Sequence, residues 1–213
     1  MRLSLYEVSI EGEGNINLNV EDMPYWAEAK IEGLKLEKLK LDTASKAKDI
    51  AGTLRASVKI NGFGTDVSKL TGSGNILIVD GKLWQLNLFQ GLGSLLFAKD
   101  FANIVFSEGS CSFLVRDRFI FSDDIKLKSN ITNLSGSFKV GFDSSLDSSV
   151  NVEVIDEMVP LSGTFKDITT AIIGQSGRFG VIKINGTLQN PKYKFQPAVV
   201  DILKGLKNAI FGQ

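Results

Sequence analysis

The chain has 213 residues, 24 basic against 24 acidic side chains, a 43% apolar share, four prolines and no histidine. The charge balance argues against the clustered cationic surface that nucleic acid requires, and the apolar share with so little proline excludes a disordered chain. The lack of histidine removes the commonest general base and metal ligand, and with them every Ser-His-Asp or Cys-His arrangement. The lone Cys111 can form neither an internal disulfide nor a structural zinc site.

This length fits one large domain or two small ones, and a chain of this size buries roughly 70% of its unfolded surface without covalent staples. Alternation of apolar and polar residues dominates from the start. Leu3, Leu5, Val8 and Ile10 lead through Gly12-Glu13-Gly14 to Ile16, Leu18 and Val20, a hairpin pattern. The pattern continues from Trp26 to Leu41, where Leu34 to Leu41 reads as a strand with one wet face and a one-residue irregularity that suits a bulge. Residues Gly52 to Ile60 alternate cleanly and close at Asn61-Gly62.

Gly72 to Trp84 then reads as a strand, a tight Asp80-Gly81 turn and a second strand. Further strands are expected over 110–115, 119–121, 125–129, 134–142, 146–155 and 181–188. Turn signals separate them at Asp123-Asp124, Asn133, Asp143-Ser144-Ser145 and Asn185-Gly186. A glycine recurs at the strand starts (Gly12, Gly52, Gly72, Gly136, Gly163, Gly186) without a fixed period, which predicts a meander of hairpins rather than a solenoid.

Three segments break the two-residue period. Leu86 to Phe97 carries Leu88, Phe89, Leu92 and Leu96 at helical spacing, and is expected to plug or cross the sheet. Phe165 to Gly174 is a weaker helical candidate. Pro197 to Phe211 suits a terminal helix that places Leu203, Leu206 and Ile210 on one face as a lid. No apolar run reaches the 18 or so residues of a bilayer span, and the N-terminal residues turn polar too soon for a secretory signal.

The ordered set of motifs resembles the C-terminal region of AsmA-like proteins. It comprises Gly72-Ser73-Gly74 running to Asp80-Gly81-Lys82-Leu83, the Leu-rich segment, the strand pair within 113–121, and Asp124 to Ser129. Leu134 to Val140, Leu146-Asp147 and the closing Gly186-Thr187-Leu188-Gln189-Asn190-Pro191-Lys192 complete it. The resemblance covers roughly residues 50 to 197, and departs from the pattern at Asp117-Arg118, where another Asp-Gly is expected, and at Cys111. It implies a periplasmic segment of a protein anchored in the inner membrane, related to bridge-like lipid transporters and serving outer-membrane lipid homeostasis. The expected organisation is a single domain over 1–213, a piece of a larger chain, with extra strands over 1–49, a motif-bearing core over 50–197 and a C-terminal helix over 198–213. The expected fold class is mainly β: a long curved antiparallel sheet, an open trough, with two or three short helices.

Taking a 16-carbon acyl chain out of a bilayer into water costs on the order of 12 kcal/mol at about 0.8 kcal/mol per methylene. A lipid carrier therefore needs a continuous oily lining, which alternating strands supply by turning every second side chain inward. The expected groove residues are Ile76, Ile78, Leu83, Phe113, Val115, Phe119, Phe121, Phe138 and Val140, and the runs 76–79, 113–115 and 119–121 are apolar on both faces. Expected partners are a phospholipid or another acyl-chain lipid and membrane-proximal proteins, with no nucleic acid, cofactor, metal or catalysis. The Gly-x-Gly pairs at 12, 62 and 72 lack the third glycine and following helix of a dinucleotide loop. The candidate carboxylates, Asp80, Asp117, Asp123, Asp124, Asp143 and Asp147, stand in turn-like positions where Asp bonds its own backbone. The alternative function is a structural or adhesive β-module with a filled core.

Overall fold

The computed structural model describes residues 2–5, 8–39, 41, 50–82, 106–129, 132–155 and 178–197. Eleven strands pair in sequence order to form one open antiparallel sheet: β1 Arg2–Leu5, β2 Val8–Ile16, β3 Pro24–Lys35, β4 Ala51–Phe63, β5 Thr71–Lys82, β6 Glu108–Arg116, β7 Phe119–Lys128, β8 Thr132–Gly141, β9 Ser145–Val154, β10 Arg178–Thr187 and β11 Pro191–Pro197. Among the described residues, a four-residue helix, α1 Leu36–Leu39, and a 3-10 turn, Val67–Lys69, interrupt the strands. Substantial contacts between described elements join only neighbours in sequence, so the sheet does not close on itself. At about 4.8 Å per strand, its eleven strands measure roughly 48 Å across.

A pure meander puts alternate connections at opposite ends of the strands. The turns after β2, β4, β6, β8 and β10 all lie along one rim. Neighbouring turns there are stitched together by backbone bonds: Gly64 donates to Met23 (3.1 Å), Phe142 to Arg118 (2.9 Å) and Leu188 to Ser144 (3.0 Å).

Several turn signals do other work than expected. Asp80-Gly81 does not reverse the chain; β5 runs through it, and the pair forms a bulge between the partners Thr53–Val79 and Ala51–Lys82. Asp80 takes a left-handed φ of 52° there, a conformation Asp tolerates better than most residues. Asp123-Asp124 likewise forms a bulge inside one continuous β7, not a turn between two strands. The actual two-residue hairpin is Asp117-Arg118, with φ of 52° and 65°, the paired positive values that match strand twist. The irregularity in the third strand falls at Gly33 (φ 83°), and the chain leaves the sheet at Lys35 instead of continuing to Leu41. β11 was not expected as a strand. The helical segments over 86–97 and 165–174 lie outside the described residues, as does 198–211, while Pro197 ends β11.

These bulges keep the sheet in phase. Ile31 and Leu34 are three residues apart yet pair with Ala56 and Leu54 on one face of β4, because Gly33 is the extra residue. Ser122 and Ile125 are similarly spaced and pair with Phe138 and Gly136. A slip of one residue without such correction would send every later apolar side chain to the wrong face.

Candidate functional site

Register partners in an antiparallel pair share a face, so the strand register resolves the sheet into two surfaces. On one, Ile10, Ile31, Ala56, Ile76 and Cys111 form a row across β2 to β6. A second row runs Leu34, Leu54, Ile78, Gly109, Leu127, Leu134 and Val152. A third links Val115, Ile120, Val140 and Leu146, and a fourth links Ile125, Gly136, Val150, Ile182 and Phe195. This face is apolar from one side of the sheet to the other.

Its accessibility is graded. Val152 and Ile182 are fully buried and Ile184 is 1% exposed, whereas Ile10, Ile31, Val58, Ile76, Ile78 and Cys111 are half-buried. The face is thus packed over β8 to β10 and at Leu34 and Val115, and partly accessible at the half-buried positions of β2 to β6. Burial raises the Cys111 thiol above its ordinary pKa, with the Asp124 carboxylate adding to the effect. The bulge holds Asp124 in the opposite sense. Its Oδ1 accepts the Ser112 N–H at 2.7 Å and the Ser122 hydroxyl at 3.1 Å, and these bonds keep the carboxyl below its usual range.

The other face is polar. An open groove of about 1400 Å³ crosses the strands there, walled by side chains one residue either side of Gly12, Ala29, Val58, Gly74, Phe113 and their successors in β8 and β9. Glu28 pairs with Lys59, Asn75 donates to Ser57 (2.8 Å), and Lys183 donates to Ser149 (2.9 Å). These contacts are exposed and individually weak. Among the described residues no buried side-chain nitrogen or oxygen lacks a partner.

This division corrects the expectation of an oily hollow. The groove is walled by charged and hydroxyl side chains together with Leu114 and Phe121, because the two-residue period sends most of the apolar set to the opposite surface. Of the predicted lining residues, Ile76, Ile78, Phe113, Val115, Phe138 and Val140 do share the apolar face. Phe119 and Phe121 do not: they pair with Gly141 and Lys139 on the polar face. There they form a patch with Leu114, and the Lys139 ammonium sits 3.9 Å from the Phe119 ring centroid, with the Arg116 guanidinium 5.3 Å from that of Phe121. A run of apolar residues cannot be assigned to one face without its neighbours' register, and here Ile120 alone of the three faces the oily side. Leu83, Leu88, Phe89, Leu92, Leu96, Leu203, Leu206 and Ile210 lie outside the described residues.

Val152, Ile182 and Ile184, which are not among the predicted lining residues, form the most deeply buried part of the apolar face. Their alternation was visible, but nothing local ranks one alternating strand above another. Tyr193 and Phe195 of β11 were signalled by Lys192-Tyr193-Lys194-Phe195, whose flanking prolines mark an edge strand. Burial raises the Tyr193 hydroxyl pKa.

Among the described residues no group of acidic or cysteine side chains is placed to hold a metal ion, and no helix is long and apolar enough to cross a membrane. No protein-family model, curated protein or solved structure matches the chain.

Proposed function

We propose that this domain handles lipid without catalysis, holding acyl chains against the accessible part of its apolar face, over β2 to β6. The observation that carries the reading is the unbroken phase of that face. Bulges in β3, β5 and β7 correct the alternation, so that apolar side chains stay in register across the sheet. An exposed polar face needs no such care. An apolar face this wide must be covered by something that excludes water, and acyl chains gain about 0.8 kcal/mol for each methylene placed there.

The polar groove is not the acyl site, since its walls of Glu28, Lys59, Lys139 and Asp147 would leave methylenes against charge. The resemblance to AsmA-like envelope proteins supports the same reading and adds a periplasmic setting with a phospholipid as cargo. A second reading, a structural module with a filled core, is favoured by one observation: Val152, Ile182 and Ile184 are already inaccessible. The two readings separate on extraction of the purified domain. Lipid detected by mass spectrometry, with saturable uptake of a fluorescent phospholipid, is the expected result. A lipid-free domain with no uptake would leave the structural reading in place.

A further inference from the structure

The rim of tight turns carries a feature that lipid holding does not require. Most of the large apolar side chains exposed among the described residues stand on or beside it. Leu18 (70% exposed) and Val20 lie in the first turn, Phe63 and Val67 (53%) flank the second, and Phe142 and Leu188 mark the fourth and fifth. Of the remainder, Leu41 and Ile155 stand at the opposite rim. Exposed apolar side chains scattered at random need no explanation. A file of them along one edge, on turns tied to each other by backbone bonds, does.

We infer that this rim docks on a lipid bilayer surface of low net charge, inserting its apolar tips at the headgroup boundary. The inference rests on the proposed lipid handling and says where lipid is exchanged. Two observations favour a bilayer over a protein partner. The tips are spread over four separate turns, with charged residues such as Glu21, Asp22, Asp66 and Asp143 between them. A protein interface core, by contrast, is contiguous and depleted of charge. The rim is also continuous with the oily face at its first turn, where Ile16, 51% exposed, pairs with Tyr25 in the apolar set. An acyl chain leaving a bilayer at this edge would pass from membrane to apolar face without crossing water.

The charge of the rim selects among membranes. Its turns, 17–23, 64–70, 117–118, 142–144 and 188–190, hold five acids (Glu21, Asp22, Asp66, Asp117, Asp143) and two bases (Lys69, Arg118), a net charge of −3. Asp66 and Asp143 are kept ionised by hydrogen bonds from Ser68 and Ser145. Such a rim is repelled by an anionic surface and accepts a zwitterionic one.

Flotation of the full 213-residue chain with vesicles tests this. Binding to phosphatidylcholine vesicles is expected, with severalfold weaker binding at low salt when one third of the lipid is phosphatidylglycerol. The triple variant Leu18→Ser, Phe63→Ser, Leu188→Ser should lose at least tenfold in partitioning while keeping its circular dichroism and any lipid that co-purifies. The opposite-rim variant Leu41→Ser, Ile155→Ser should bind as the parent does. The inference is overturned if the parent chain fails to float, if the two variants behave alike, or if the triple variant abolishes self-association in the absence of vesicles. Loss of co-purified lipid with intact flotation would count against the proposed function and leave the docking rim standing.

Discussion

The carboxylate of Asp124 accepts the backbone N–H of Ser112 from the neighbouring strand at 2.7 Å, and so closes the bulge that keeps β7 in phase. The bond binds the ionised form, which lowers the Asp124 pKa, with the Ser122 hydroxyl assisting. Because the folded value lies below that of the unfolded chain, the stabilisation is present above an unfolded pKa of about 3.9 and is lost as pH falls through the folded value. Asp124→Asn should therefore lower the thermal midpoint at neutral pH. The gap between parent and variant should close as pH drops below about 4, as read by thermal melts across a pH series. A constant gap would show that the carboxylate charge plays no part.

The two faces should respond differently to truncation. Ile182→Ala, at a fully buried site, should cost about 3 kcal/mol. Asn75→Ala, on the exposed polar face, should change stability by less than about 0.5 kcal/mol. Urea unfolding curves of the two variants check the contrast.

Gly74 lies under the ring of Phe113, and an added Cβ would collide with that ring and with the Ser57 carbonyl oxygen. Gly74→Ala should destabilise by about 1 to 3 kcal/mol through overpacking. The double variant Gly74→Ala, Phe113→Ala should recover part of the ring's share of that loss, as measured in a double-mutant cycle.

Cys111 sits in the accessible apolar row between Ile76 and the bulge. With its thiol pKa raised, its reaction with a maleimide at neutral pH should be slower than that of free cysteine. Addition of phospholipid should slow it further, since an acyl chain over Ile76 and Cys111 would shield the sulfur. Labelling at the free-cysteine rate, unaffected by lipid, would place lipid elsewhere.

Much of the fold was legible because alternation is a direct record of a two-faced strand, as in Gly52 to Ile60 and Leu134 to Val140. What misled was punctuation. Asp-Gly and Asp-Asp carry the same backbone preferences in a bulge as in a hairpin, so Asp80-Gly81 and Asp123-Asp124 read as turns. The face of Phe119 and Phe121 was not legible, because it depends on register with β6 and β8 rather than on the residues themselves. The polar character of the groove followed from the same cause: sequence shows that a strand has two faces, but not which one borders a hollow.

The central claim, that acyl chains lie on the apolar face and not in the polar groove, is tested most directly by photo-crosslinking. A phospholipid with a diazirine in its acyl chain is bound to the intact chain, irradiated, and the labelled residues are mapped by mass spectrometry. The account predicts labels with a two-residue period, at Ile76, Ile78, Cys111 and Phe113, and not at Asn75, Leu77 or Ser112. Labels concentrated on Lys59, Phe121 and Lys139 in the polar groove, or labelling no higher than with a water-soluble diazirine, would contradict it.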